Sequence, residues 1–104
     1  MAGTGLYYDP LFLRHETGLH PETPNRLIWI TEHLKQTGLW DRCLHPACRD
    51  ATIEELCLVH DREYVLQVKR VAESGGGLLD SETIVSKMSY AAAARAAGTG
   101  LAAV

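Results

Sequence analysis

The stretch that decides the reading of this chain is His20-Pro21-Glu22-Thr23-Pro24-Asn25-Arg26. Its two prolines hold a loop that delivers Arg26 into the first turn of a helix. Thr23 offers a hydroxyl to an unpaired amide at the helix start, and Pro24 has no amide to leave unpaired at the first helical position. A helix is therefore predicted from Pro24 to Thr37, with Leu27, Ile30 and Leu34 on one face and Ile28 beside it. Gly38 is the expected stop, with Leu39 folding back on the last turn. A cation in the first turn opposes the helix dipole, so Arg26 asks for a reason. Two readings stand: an ion pair with Glu22 or Asp9, or a guanidinium fork kept for an anion or a carbonyl.

On the N-terminal side, Gly5-Leu6-Tyr7-Tyr8-Asp9 reads as a short strand stopped at Pro10. Its unbroken apolar character suits a buried parallel sheet. Leu11 to Glu22 is a loop carrying His15 and His20. On the C-terminal side, 40–51 reads as irregular or briefly extended, interrupted by Pro46. Thr52-Ile53-Glu54-Glu55 fits a capping box opening a short helix with Ile53, Leu56 and Cys57. Asp61 is placed to cap a further helix, with Tyr64, Val65, Val68, Val71 and Ala72 inward. Ser74-Gly75-Gly76-Gly77 ends it as a flexible turn, and Asp80-Ser81-Glu82-Thr83 is a polar loop. Ser86 or Ser89 is expected to cap the last helix, an alanine-rich run. Gly98 and Gly100 weaken that helix by about 1 kcal/mol each unless a neighbour packs closely against them. One strand and four helices are too little to cover one another, so the residues alone suggest a piece of a larger α/β domain.

Composition narrows the function. The chain has 104 residues, at most one domain, with 46% hydrophobic and 22% charged residues, as in ordinary globular proteins. The net charge of -3, without a basic stripe, argues against nucleic acid as a partner. No apolar run reaches the roughly 20 residues of a membrane span, and the first residues have no signal-peptide pattern. Three cysteines, an odd number, favour reduced thiols and a cytoplasmic location.

The chemistry-bearing residues are sparse. Cys43-x-His45-x-x-Cys48 has ligand types at short spacing, with Cys57 beyond, but forms one loose knuckle where a structural zinc site uses two tight ones. Nothing marks a cysteine as a nucleophile. Gly75-Gly76-Gly77 lacks the Lys-Ser/Thr of a phosphate loop. Glu54-Glu55 and Asp80/Glu82 read as helix-start charges and a solvated loop. Tyr8, His15, His20 and Arg26 remain.

The opening string resembles the His-Pro-Glu-x-Pro-x-Arg loop of the histone deacetylase superfamily, nearest to its class II, acetoin-utilisation and acetylpolyamine amidohydrolase branches. Other segments agree in order. Gly5 to Asp9 resembles the first strand. Glu55-Leu56, Val59-His60 and Glu63-Tyr64-Val65 resemble the family's next segment. Asp80 to Thr83 with Ser89-Tyr90-Ala91-Ala92 and Ala97-Gly98 resembles the one after. The likeness covers roughly residues 5–104.

The resemblance implies an α/β chain: the N-terminal portion of an arginase/deacetylase three-layer fold, mostly helical with one or two short strands. It implies hydrolysis of an acetylated amide, on lysine or a polyamine, by a zinc-bound water. The family's zinc ligands, its His-His pair and its tyrosine have no counterpart among these residues. A truncated, inactive segment is therefore expected, with no zinc bound by this chain alone. What carries over is the channel: Arg26 as the arginine proposed to handle the acetate product, His20 in the first rim loop, and Ser89 beside the second. Two further readings are a standalone interaction module derived from the fold, self-associating through exposed apolar faces, and a Cys/His metal or redox module.

Overall fold

The computed structural model describes residues 3–80 and 83–104. Among these residues five helices carry the chain: α1 (Pro24–Gln36), α2 (Leu39–Arg42), α3 (Ile53–Leu56), α4 (Arg62–Glu73) and α5 (Ser89–Ala103). A 3-10 turn, Pro10–Arg14, precedes them. Between α4 and α5 lies an antiparallel hairpin, β1 (Gly76–Leu78) with β2 (Ile84–Ser86), in the register Gly77 opposite Val85.

Helix α1 begins and ends as its sequence dictates. Thr23 is its N-cap, with a long 3.5 Å contact from the Asn25 amide, and Pro24 opens it. Gly38 stops it at φ +81°, a left-handed conformation that a side chain disfavours. The chain then re-enters α2, where irregular structure was expected. The inward face also differs from expectation. Leu27, Ile28 and Leu34 are half-buried, Ile30 is exposed, and Thr31 is the buried residue of the helix.

The capping box is present. Glu55 donates its amide to Thr52 Oγ1 (3.1 Å), and the Glu55 carboxylate accepts from the Thr52 amide (3.0 Å). Arg49 clamps the same carboxylate with two nitrogens, each at 2.9 Å. Asp61 occupies the N-cap of α4 without a side-chain cap bond, and Tyr64 on that helix is exposed rather than inward.

Three further expectations are corrected. Residues 5–9 form no strand; the parallel pairing is a single bridge, Gly5 to Leu44, closed by two 2.7 Å backbone bonds. Gly76 and Gly77 are strand residues, not a turn. At Gly76, φ is +113° and a Cβ would lie 2.6 Å from the Val85 carbonyl oxygen, so the hairpin requires glycine there. Neither serine caps α5: Met88 is its N-cap and Ser89 its first residue. Of the Asp80–Thr83 loop, Ser81 and Glu82 lie outside the described residues; Thr83 donates its amide to Asp80 Oδ1 at 2.8 Å.

The buried centre consists of small residues: Ala51, Val65, Ala72, Val85, Ala92 and Ala94. Helix α5 is its spine, packed on the 3-10 turn, on α4 and on β2. The molecule measures 42 × 32 × 17 Å. The chain exposes 7035 Å² where a folded 11.4 kDa monomer exposes roughly 5,800 Å². Trp29, Leu58 and Val59 contribute to that excess. Among the described residues no helix is long and apolar enough to cross a membrane.

Candidate functional site

A groove of about 550 Å³ lies between the 15–22 segment, β2 and α5. Phe12, Ile84, Val85 and the alanines of α5 make its apolar walls. His15, Thr17, His20, Glu22 and Ser89 bring polar groups to it. Thr17 is buried and donates its hydroxyl to the Glu22 carbonyl, which folds the 17–22 segment back on itself.

Ser89 is the hub of a hydrogen-bond network joining segments far apart in sequence. It is 7% exposed at the head of α5. Its Oγ accepts the Ser86 amide (2.7 Å) and lies 2.9 Å from Ser86 Oγ and 2.5 Å from His15 Nδ1. Ser86 Oγ accepts the Glu16 amide (3.0 Å) and donates to the Arg14 carbonyl (3.4 Å). The head of α5 is thereby pinned to the rim segment. His20 keeps its own end of that segment in shape, its Nδ1 accepting the Glu22 amide at 3.0 Å.

Of the three residues predicted for the site, His20 and Ser89 line this groove and Arg26 does not. Arg26 is exposed, and its Nη1 donates to Glu22 Oε2 at 2.6 Å. Glu22 is itself a groove residue, so Arg26 reaches the groove through its partner. Asp9, the other partner considered for Arg26, pairs with Arg95.

Arg95 is an electrostatic centre that sequence reasoning passed over. It donates to Asp9 Oδ2 at 2.7 Å and to Asp50 Oδ1 at 2.5 Å, tying the 3-10 turn and the 49–51 segment to α5. The Leu11 amide, then Arg95, hold the Asp9 carboxyl below its ordinary range. Hydrogen bonds to Asp50 and Asp9 raise the Arg95 guanidinium further above its own. Arg49, then the Thr52 amide, hold Glu55 down to about 2. A lone arginine in an alanine helix was the available signal for Arg95. The His15–Ser89 contact spans 74 residues, and no local pattern announces it.

Among the described residues no three His, Cys, Asp or Glu side chains gather where they could hold an ion. In the loose knuckle, His45 places Nε2 2.7 Å from the Trp40 carbonyl and stacks on the Trp40 ring at 4.7 Å. Those residues do not fit a zinc site.

Comparison with known proteins places this geometry. The family model for the histone deacetylase domain matches residues 20–104. Histone deacetylase 9 of Homo sapiens is 37% identical over 70 residues, 62% of this chain and 7% of that protein. The uncharacterized protein slr0245 of Synechocystis sp. is 39% identical over 92 residues, 82% of this chain and 29% of that protein. Polyamine deacetylase HDAC10 of Homo sapiens is 44% identical over 54 residues, 52% of this chain and 8% of that protein. Among solved structures, the HDA15 HD domain superposes with a TM-score of 0.84 at 32% identity, over 92% of this chain and 29% of that one. The chain thus spans less than a third of the length of each of these proteins. Its residues 20–104, mostly helical with one small sheet, have the fold of a portion of that domain, and the chain belongs to the histone deacetylase family.

Proposed function

We propose that this chain builds one wall of a deacetylase groove, where an acetylated amide is held for hydrolysis, and contributes no metal ligand. The observation that carries the reading is the groove itself. His15, His20 and Ser89 are drawn from two ends of the sequence to one apolar trough, in a chain matched to the deacetylase domain. In this reading zinc and its ligands belong to other residues of a complete domain, and every step at the metal lies outside this chain. Arg26 pairs with Glu22 through one nitrogen, which leaves the rest of its fork for a carboxylate such as acetate.

A chimera tests this. In HDAC10, the segment matching this chain is replaced by the corresponding residues of this chain. Acetate release from acetyl-lysine or acetylpolyamine reporters should survive within tenfold, and Arg26→Ala in the chimera should lower it at least tenfold. A folded, metal-loaded chimera without hydrolysis, or one indifferent to Arg26→Ala, contradicts the proposal.

The surface excess favours a second reading, a standalone interaction module that self-associates through exposed apolar residues such as Trp29 and Ile30. Sedimentation of the purified chain separates the two readings. A defined dimer dispersed by Trp29→Lys supports the module, and a monomer at all concentrations removes it.

A further inference from the structure

The hydrogen-bond network at Ser89 determines which nitrogen of His15 carries a proton. Two donors in it, both backbone amides, and one acceptor, a carbonyl, are fixed by chemistry. The Ser86 amide donates to Ser89 Oγ, the Glu16 amide donates to Ser86 Oγ, and the Ser86 hydroxyl faces the Arg14 carbonyl, which only accepts. Two contacts remain: Ser89 Oγ to Ser86 Oγ, and Ser89 Oγ to His15 Nδ1.

Ser89 has one hydroxyl proton. If it goes to His15 Nδ1, the Ser86 hydroxyl must serve either Ser89 or Arg14, and one of the five contacts is left without a proton. If His15 carries its proton on Nδ1, every contact is satisfied. His15 donates to Ser89, Ser89 to Ser86, and Ser86 to the Arg14 carbonyl. The Nδ1–H form keeps all five contacts, whereas the other gives up either the 2.9 Å bond between the two hydroxyls at the buried Ser89 or the exposed 3.4 Å bond to the Arg14 carbonyl, and the arrangement with the full hydrogen-bond count is favoured.

We infer that Ser86 and Ser89 fix neutral His15 in its Nδ1–H form, so that Nε2 is presented at the groove as a hydrogen-bond acceptor for the N–H of a bound amide. Nε2 has no hydrogen-bond partner among the described residues, and His15 lines the groove. The three valences of Ser89 Oγ are all used inside the protein, so Ser89 is a positioning residue and His15 the one that touches the ligand. The amide class of ligand rests on the deacetylase reading above; the tautomer rests on the hydrogen-bond count alone.

Long-range 1H–15N correlation spectra of the whole chain, labelled at histidine and held in alkaline buffer, read the tautomer directly. His15 is expected predominantly as Nδ1–H. Ser89→Ala removes the acceptor, and Ser86→Ala frees the Ser89 proton for Nδ1, so each variant should shift His15 toward Nε2–H. N-methylacetamide should move the His15 Nε2 resonance, and N,N-dimethylacetamide, which has no N–H, should not. A wild-type Nε2–H form, a tautomer that neither variant moves, or an equal or absent response to the two amides overturns the proposal. Acetate release by the chimera is a separate readout, so failure of the functional reading is distinguishable from failure of this one.

Discussion

Gly98 and Gly100 look alike in the sequence and should behave oppositely when replaced by alanine. At Gly98 a Cβ would overlap the Arg49 carbonyl oxygen and the Asp50 carbonyl carbon, and would lie 2.5 Å from the Ala51 nitrogen. All three are backbone atoms, which cannot swing aside as a side chain can. The same crossing carries the 2.8 Å bond from the Ala51 amide to the Ala94 carbonyl, between two buried residues. Overpacking of this kind costs about 1–3 kcal/mol, and a buried amide left unpaired about 1–3 more. The gain in helix propensity returns about 1 kcal/mol. Gly98→Ala should therefore destabilise by about 1–5 kcal/mol. At Gly100 a Cβ meets nothing within 4 Å. Gly100→Ala should stabilise by up to about 1 kcal/mol, or raise Tm by about 4–8 °C. Urea unfolding and thermal melts of the two variants, followed by circular dichroism, measure both. A Gly98→Ala chain as stable as wild type would refute the close crossing of α5 over residues 49–51.

Three more outcomes follow from the contacts. Thr52→Ala, which opens the capping box at α3, should cost about 1 kcal/mol by urea unfolding. Glu55 is held down to about 2 from an ordinary 4.5, so its stabilising contribution is present above pH 4.5 and lost as the pH falls toward 2. Melts across that window should decline, and less steeply in Glu55→Gln. Arg95→Met leaves Asp9 and Asp50 without their shared cation, and should lower Tm by less in 1 M salt than in dilute buffer, because salt weakens the ion pairs of the wild type.

The parts of the fold legible in the sequence are those set by neighbouring residues. Thr23-Pro24 started α1, Gly38 stopped it, and Thr52 with Glu55 built the capping box. The alanine run gave α5, and the expected close neighbour is present at Gly98 but not at Gly100. What failed depends on distant partners. Tyr7-Tyr8 has strand propensity, yet a strand needs a neighbour, and among the described residues only Leu44 bridges to this segment. The glycines at 76 and 77 read as a turn because their pairing with Val85 and Ser86 lies across a loop. Ile30 fits the inward face of α1 by spacing but is 53% exposed, in a slab whose total surface exceeds that of a closed domain.

The site divides in the same way. His20 could be placed in the rim loop from its motif, and it lines the groove. The sequence admits Arg26 as either an ion pair or an anion handle, and its bond to Glu22 is the first of these. The link from His15 to Ser89 depends on a fold that brings residues 74 apart into contact, which no window of sequence contains.

The most direct test of the central claim is acetate release by the purified 104-residue chain, supplied with equimolar zinc and an acetyl-lysine or acetylpolyamine reporter. A groove wall without metal ligands should release no acetate above the buffer rate and retain no stoichiometric zinc after desalting. Turnover that copurifies with the folded chain and disappears with a chelator would contradict the account, because it would require a metal centre among these residues.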